Sequence, residues 1–205
     1  MVERHGPLPP ERGIYLLLQV CDALREAHQS GLVHRDIKPA NIFISQRGGI
    51  YDVVKLLDFG LVKPIADDQP VHLTADGMLA GTPLFMSPEQ ATGDTSSDPR
   101  SDIYSLGASA YSLLTGQPPF RGDNVLKLVI AHSNETPVPP SRHNSEIPGD
   151  LEQIVLKCLA KDRSQRFQTI SQLQSALAQC EAAGRWSREK AAEWWQSRAP
   201  DTSAK

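Results

Sequence analysis

The chain has 205 residues, 40% hydrophobic and 22% charged, with a formal net charge of −3. That is enough for one sizeable core or two small ones, and it is the balance of an ordinary soluble globular protein, for which disorder is not the default. Apolar runs such as residues 14–18 fall far short of a bilayer span, the N-terminus lacks a signal-peptide core, and lysine and arginine are scattered, so a cytoplasmic setting with no membrane segment and no nucleic-acid partner is expected.

From the N-terminus, "GPLPP" at residues 6–10 suits a turn feeding a helix. Ile14, Leu17, Leu18, Cys21 and Leu24 keep helical spacing through residues 11–30, and Gly31 supplies the stop. "NIFIS" (41–45) and "DVVKLLDF" (52–59) are β-prone runs around "QRGGIY", which predicts a hairpin with a glycine-containing turn. The segment 58–89 then carries little regular signal, and so long a loop in a compact protein is functional or disordered. Helices are predicted over 101–115, 123–134, 150–161 and 168–183, joined by proline-rich turns, with no internal repeat. Cys21, Cys158 and Cys180 lie far apart in these helical stretches, without CxxC or zinc spacing, and read as buried small hydrophobes. Beyond Glu181 the chain turns polar but keeps Trp186, Trp194 and Trp195: either a last helix docked on the domain or an anchor for a partner. "APDTSAK" (199–205) reads as a disordered tail.

The chemistry concentrates in "HRDIKPAN" at residues 34–41 and Asp58. A loop entering the first strand and a turn leaving the second put Asp36, Asn41 and Asp58 at the same end of the hairpin. Magnesium takes oxygen ligands, usually one or two carboxylates plus substrate phosphates. Asn41 and Asp58 suit that demand and leave Asp36 to accept a hydroxyl proton, with Lys38 in reach of a transferring phosphoryl group. The competing reading is a solvated loop, since Asp and Asn are common turn residues.

"HRDIKPAN" together with "DFG" (58–60), "GTPLFMSPEQ" (81–90) and "SDIYSLG" (101–107) resembles the C-terminal lobe of a protein kinase, nearest to bacterial serine/threonine kinases of the eukaryotic type, across residues 7–180. The resemblance implies a mainly α fold with a small β-hairpin, a kinase-like α+β C-lobe over 1–183, followed by a tryptophan-bearing helix and tail over 184–205. It implies transfer of the ATP γ-phosphoryl group to serine or threonine of a protein substrate, with ATP and magnesium as cofactors. By the same resemblance Asp36 is the base, Asn41 and Asp58 hold magnesium, and Lys38 favours serine/threonine over tyrosine substrates. Thr82 links the substrate loop to Asp36 and Lys38, and Phe43 and Leu57 floor the adenine pocket. Glu89 pairs with Arg166. Asp102 caps its helix and receives backbone N–H groups from around Arg35. Of the three hydroxyl residues in 58–89, Thr82 and Ser87 fall in family motifs, so Thr74 is the candidate activation-loop site, its phosphate pairing with Arg35. Ser87 and Phe85 depart from the alanine and tyrosine more usual in that motif.

The kinase mechanism also needs a Gly-rich loop, a strand lysine and a helix glutamate. No GxG occurs anywhere in the chain and its first lysine is Lys38. The expectation is therefore a kinase fragment or a misplaced gene start, a lobe that binds partners without catalysis, or a lobe completed in trans by a separate N-lobe. A small-molecule phosphotransferase of the kinase-like superfamily would share the H-x-D-x-x-x-x-N core but leave "GTPLFMSPEQ" unexplained.

Overall fold

A computed structural model describes residues 6–58, 63–64, 83–94 and 98–198. The first helix, α1 (Pro10–Gln29), starts with Pro10 at a position whose N–H has no intrahelical partner to lose, and carries Glu11 in its first turn. It buries Ile14, Leu17, Cys21 and Leu24 and ends before Gly31, whose φ of 73° takes the chain out of the helix. Strand β1 (Leu32–Val33) follows and pairs antiparallel with β4 (Lys63–Pro64).

The hairpin forms as the two β-prone runs and their glycine turn predict, with β2 (Ile42–Arg47) and β3 (Ile50–Leu56) antiparallel. Gly48 and Gly49 form its two-residue turn at φ 57° and 82°, conformations a side chain would disfavour at both positions. The register pairs Ile42 with Leu56 and Ile44 with Val54, which face the core. The opposite face carries Phe43 and, two residues past its partner Lys55, Leu57.

The remaining helices are α2 (Pro88–Ala91), α3 (Pro99–Thr115), α4 (Val125–Asn134), α5 (Gly149–Cys158), α6 (Ile170–Ala178) and α7 (Arg188–Gln196). The starts of α4 and α6 shift by two residues from the periodicity because side-chain caps set them: Asn124 accepts from Lys127 N–H and Thr169 from Gln172 N–H. Helix α3 is buried almost all round, and α1, α5 and α6 pack about it through Ile103, Leu106, Leu114, Leu151, Val155 and Leu173. A Cβ at Gly107 would lie 2.4 Å from the Cβ of Cys158, so glycine there lets α3 and α5 approach. All three cysteines are buried and free. Among the described residues no helix is long and apolar enough to cross a membrane. The tryptophan segment docks: Trp186 is buried, and α7 lies against β3. The tail at 199–205 and most of the 58–89 loop lie outside the described residues.

Candidate active site

The loop between β1 and β2 is clamped by buried polar groups. Asp102, fully buried on α3, accepts from His34 N–H at 2.9 Å and from Arg35 N–H at 2.7 Å, and its Oδ2 lies 2.8 Å from His28 Nε2. These bonds hold Arg35 at φ 67°, a left-handed conformation that a non-glycine residue keeps only where its surroundings over-determine it. The imidazole of buried His34 spans the site: Nδ1 accepts from Asp36 N–H at 3.3 Å, which leaves Nε2–H to donate to the Leu57 carbonyl at 3.0 Å. Burial lowers the pKa of the Arg35 guanidinium, an effect opposed by Asp102 and Asp94.

Asp36, Lys38 and Asn41 come together. Lys38 Nζ donates to Asp36 Oδ2 at 2.7 Å, and Asn41 Nδ2 donates to the same oxygen at 3.0 Å and to the Asp36 carbonyl at 2.8 Å. Among the described residues Oδ1 of Asp36 has no partner, and the side chain is 19% exposed. Asn41 closes a short 3-10 turn (Pro39–Asn41) and is 3% exposed. Its amide hydrogens point at Asp36, so its carbonyl oxygen is the atom left for a cation.

Asp58 arrives from the other strand. Leu57 N–H donates to the Asn41 carbonyl at 2.9 Å, which puts Asp58 one residue beyond Asn41's partner, exposed and at φ 58°. An amide oxygen and an exposed carboxylate at one end of a hairpin are the hard donors magnesium takes when phosphates supply further ligands, so these residues fit that ion. Phe43, 52% exposed, and half-buried Leu57 lie on the same face of the hairpin. Thr74 and Thr82 lie outside the described residues.

Farther out, Glu89 and Arg166 form a two-pronged pair, Nη1 to Oε1 at 2.7 Å and Nη2 to Oε2 at 2.8 Å. Arg166 spends its other hydrogens on the carbonyls of Ala160, Arg100 and Lys161, and Ser101 Oγ donates to Glu89. Burial by itself would raise the Glu89 pKa, but the Arg166 hydrogen bonds and charge outweigh it and leave it lowered.

One expectation is corrected. Asp102 does not cap α3: the helix starts at Pro99, and its N-cap is Asp98, which accepts from Arg100 N–H at 2.9 Å. Proline at the first helical position moved the start two residues ahead of the apolar periodicity, freeing both Asp102 oxygens for the loop around Arg35. Two features escaped the sequence reading. Gln90 Nε2 donates to the Arg35 carbonyl at 2.8 Å, for which the S-x-x-Q spacing of a capping box was the available signal. Buried Arg12 pairs with buried Asp52, and no local signal marked it, because Arg12 lies on the side of α1 away from the Ile14–Leu24 stripe.

With this geometry, a family model described as the protein kinase domain matches residues 1–177. Serine/threonine-protein kinase PknB of Mycobacterium leprae is 45% identical over 177 residues, covering 86% of this chain and 27% of that protein. PknB of Mycobacterium tuberculosis is 43% identical with the same coverage. Serine/threonine-protein kinase Pkn1 of Myxococcus xanthus is 42% identical over 171 residues, 83% of this chain and 24% of that protein. The chain thus spans about a quarter of the length of these curated relatives.

Proposed function

The chain belongs to the protein kinase family, and on that premise we propose that it carries the base, the magnesium ligands and the peptide-seating segment of a serine/threonine kinase that transfers the ATP γ-phosphoryl group to a protein hydroxyl. The observation that carries this reading is the asymmetry of the Asp36 carboxylate. Oδ2 is held by Lys38 and Asn41, while Oδ1 has no partner among the described residues. A carboxylate fixed through one oxygen and open at the other suits a base that orients a substrate hydroxyl and takes its proton.

Lys38, beside that carboxylate, stands where it would offset charge on the transferring phosphoryl group. Asn41 offers its amide oxygen and Asp58 its carboxylate to magnesium, which when bound would neutralise phosphate charge. Phe43 and Leu57 would lie under the adenine. Thr82 would join the substrate loop to Asp36 and Lys38. No GxG occurs in these 205 residues, so the Gly-rich loop and strand lysine of the family would come from outside them, in the same protein or in trans. Use of ATP as donor fits a cytoplasmic setting.

Thr74 is assigned as the regulatory site of the same reading. Its phosphate, adding about −1.5 to −2 charge, would pair with the Arg35 guanidinium next to the base. Mass spectrometry of the active protein should find that phosphate, and an active protein without it contradicts the assignment.

The test of the function uses the full-length protein with magnesium, ATP labelled at the γ-phosphorus and a mixed protein substrate. Label should appear as phosphoserine or phosphothreonine. Tight ATP binding without transfer would favour a scaffold lobe, and label on a small hydroxylated molecule alone would favour the small-molecule phosphotransferase.

A further inference from the structure

Ser87, the residue that departs from the family's usual alanine, and Gln90 have no task in the chemistry above, yet they touch it. Ser87 is fully buried and caps α2: Gln90 N–H donates to Ser87 Oγ at 3.3 Å, and Gln90 Oε1 accepts from Ser87 N–H at 2.9 Å and from Ser87 Oγ at 3.1 Å. Gln90 Nε2 then donates to the Arg35 carbonyl at 2.8 Å. Only one amide orientation satisfies all of these. Turning it over would set a donor against Ser87 N–H and an acceptor against the Arg35 carbonyl.

The Arg35 carbonyl and the Asp36 N–H belong to one planar peptide unit. Gln90 holds the oxygen end of that plane, and His34 Nδ1 holds its N–H end at 3.3 Å. On the far side of Arg35, whose φ is 67°, the preceding peptide is held by Asp102. The plane that delivers Asp36 is therefore fixed from both ends, and one of the two holders lies in the "GTPLFMSPEQ" segment.

We propose that Gln90 is a positioning residue: its amide sets the orientation of the peptide leading into Asp36 and ties it to the segment that seats the peptide substrate, with Ser87 holding the amide in register. This rests on the reading of Asp36 as the base. A capping box accepts glutamate as readily as glutamine at its third position. Gln90→Glu thus keeps acceptors for Ser87 but cannot donate to Arg35. Ser87→Ala does the converse, removing the cap hydroxyl while leaving the Nε2–H to the Arg35 carbonyl.

Both variants are made in the full-length protein and followed by hydrogen exchange at the Asp36 amide, by thermal melting and by steady-state kinetics. Gln90→Glu should speed exchange at Asp36 and lower kcat roughly ten-fold, inside the range of up to about 100-fold that small misplacements cost. KM for ATP should not move. Ser87→Ala should lower the melting temperature more than Gln90→Glu does, yet lower kcat less. Unchanged exchange and kcat in Gln90→Glu would overturn the proposal, as would kcat falling in both variants in step with lost stability, the mark of a helix cap alone. If the wild-type protein transfers no phosphoryl group, the proposed function fails, while exchange at Asp36 still decides for or against Gln90.

Discussion

Arg12 and Asp52 meet as a bidentate ion pair, Nε to Oδ2 at 2.9 Å and Nη2 to Oδ1 at 2.7 Å, with neither side chain open to solvent. Each carboxylate oxygen takes a second bond from an indole, Trp186 Nε1 to Oδ2 at 3.0 Å and Trp195 Nε1 to Oδ1 at 2.7 Å. The guanidinium carbon lies 3.6 Å from the ring centroid of Trp194 and 5.4 Å from those of Trp186 and Trp195. Asp52 sits at φ 56°, where short polar side chains are among the few tolerated, and Gln19 fixes it further by donating to its carbonyl at 2.9 Å. The segment beyond α6 therefore seals a buried charge pair on the hairpin whose other end carries Asn41 and Asp58.

Removing half of that pair strands a buried charge. Asp52→Ala should cost about 3–5 kcal/mol in urea unfolding, and Arg12→Ala a similar amount. Trp195→Phe, which keeps an aromatic ring but removes one donor to a carboxylate, should cost about 1–3 kcal/mol. Equal stability of Trp195→Phe and wild type would mean the indole bond is not part of the seal.

Glu89→Ala and Arg166→Ala should each cost about 3–5 kcal/mol, and the double variant should cost less than their sum because the two residues act as one unit. The pH dependence has a definite sign. The folded Glu89 pKa is lowered, so its contribution is present above the ordinary carboxylate value and is lost as pH falls through the lower folded value. Glu89→Gln should accordingly flatten the acid limb of the stability profile below the ordinary glutamate range. An unchanged acid limb would contradict it.

His132 predicts a separate and milder acid window. Its pKa is lowered to about 4, first by burial and then by the Lys161 charge; Tyr104 bonds its Nδ1 at 2.9 Å, and Phe120 packs on its ring. The unfolded chain binds this proton first as pH drops below 6.5, so stability falls between there and about 4. A nitrogen-15 NMR titration should show His132 still neutral at mildly acidic pH. Protonation at the ordinary histidine value would reject this.

Much of the fold could be read from period and punctuation. The hairpin and its glycine turn followed from β-prone runs on either side of Gly48 and Gly49, and the helices from spacing, because both depend on near neighbours. Helix starts were legible only to within a turn, since Asn124, Asp98 and Thr169 set them through single side-chain bonds that hydrophobic periodicity does not register. The juxtaposition of Asp36, Lys38 and Asn41 was legible because they are close in sequence. Arg12 with Asp52, and Gln90 with Arg35, were not, since nothing local marks a partner 40 or 55 residues away.

The reading of Asp36 as the base has a direct kinetic consequence. General-base groups contribute typically about 100- to 10,000-fold to rate. In the full-length protein, Asp36→Asn keeps the volume and one oxygen but loses the charge, so turnover on a serine/threonine substrate should fall by that order while ATP binding, measured by calorimetry, stays within a few-fold of wild type. Turnover unchanged in Asp36→Asn, with the protein folded and ATP bound, would mean that Asp36 is not the base.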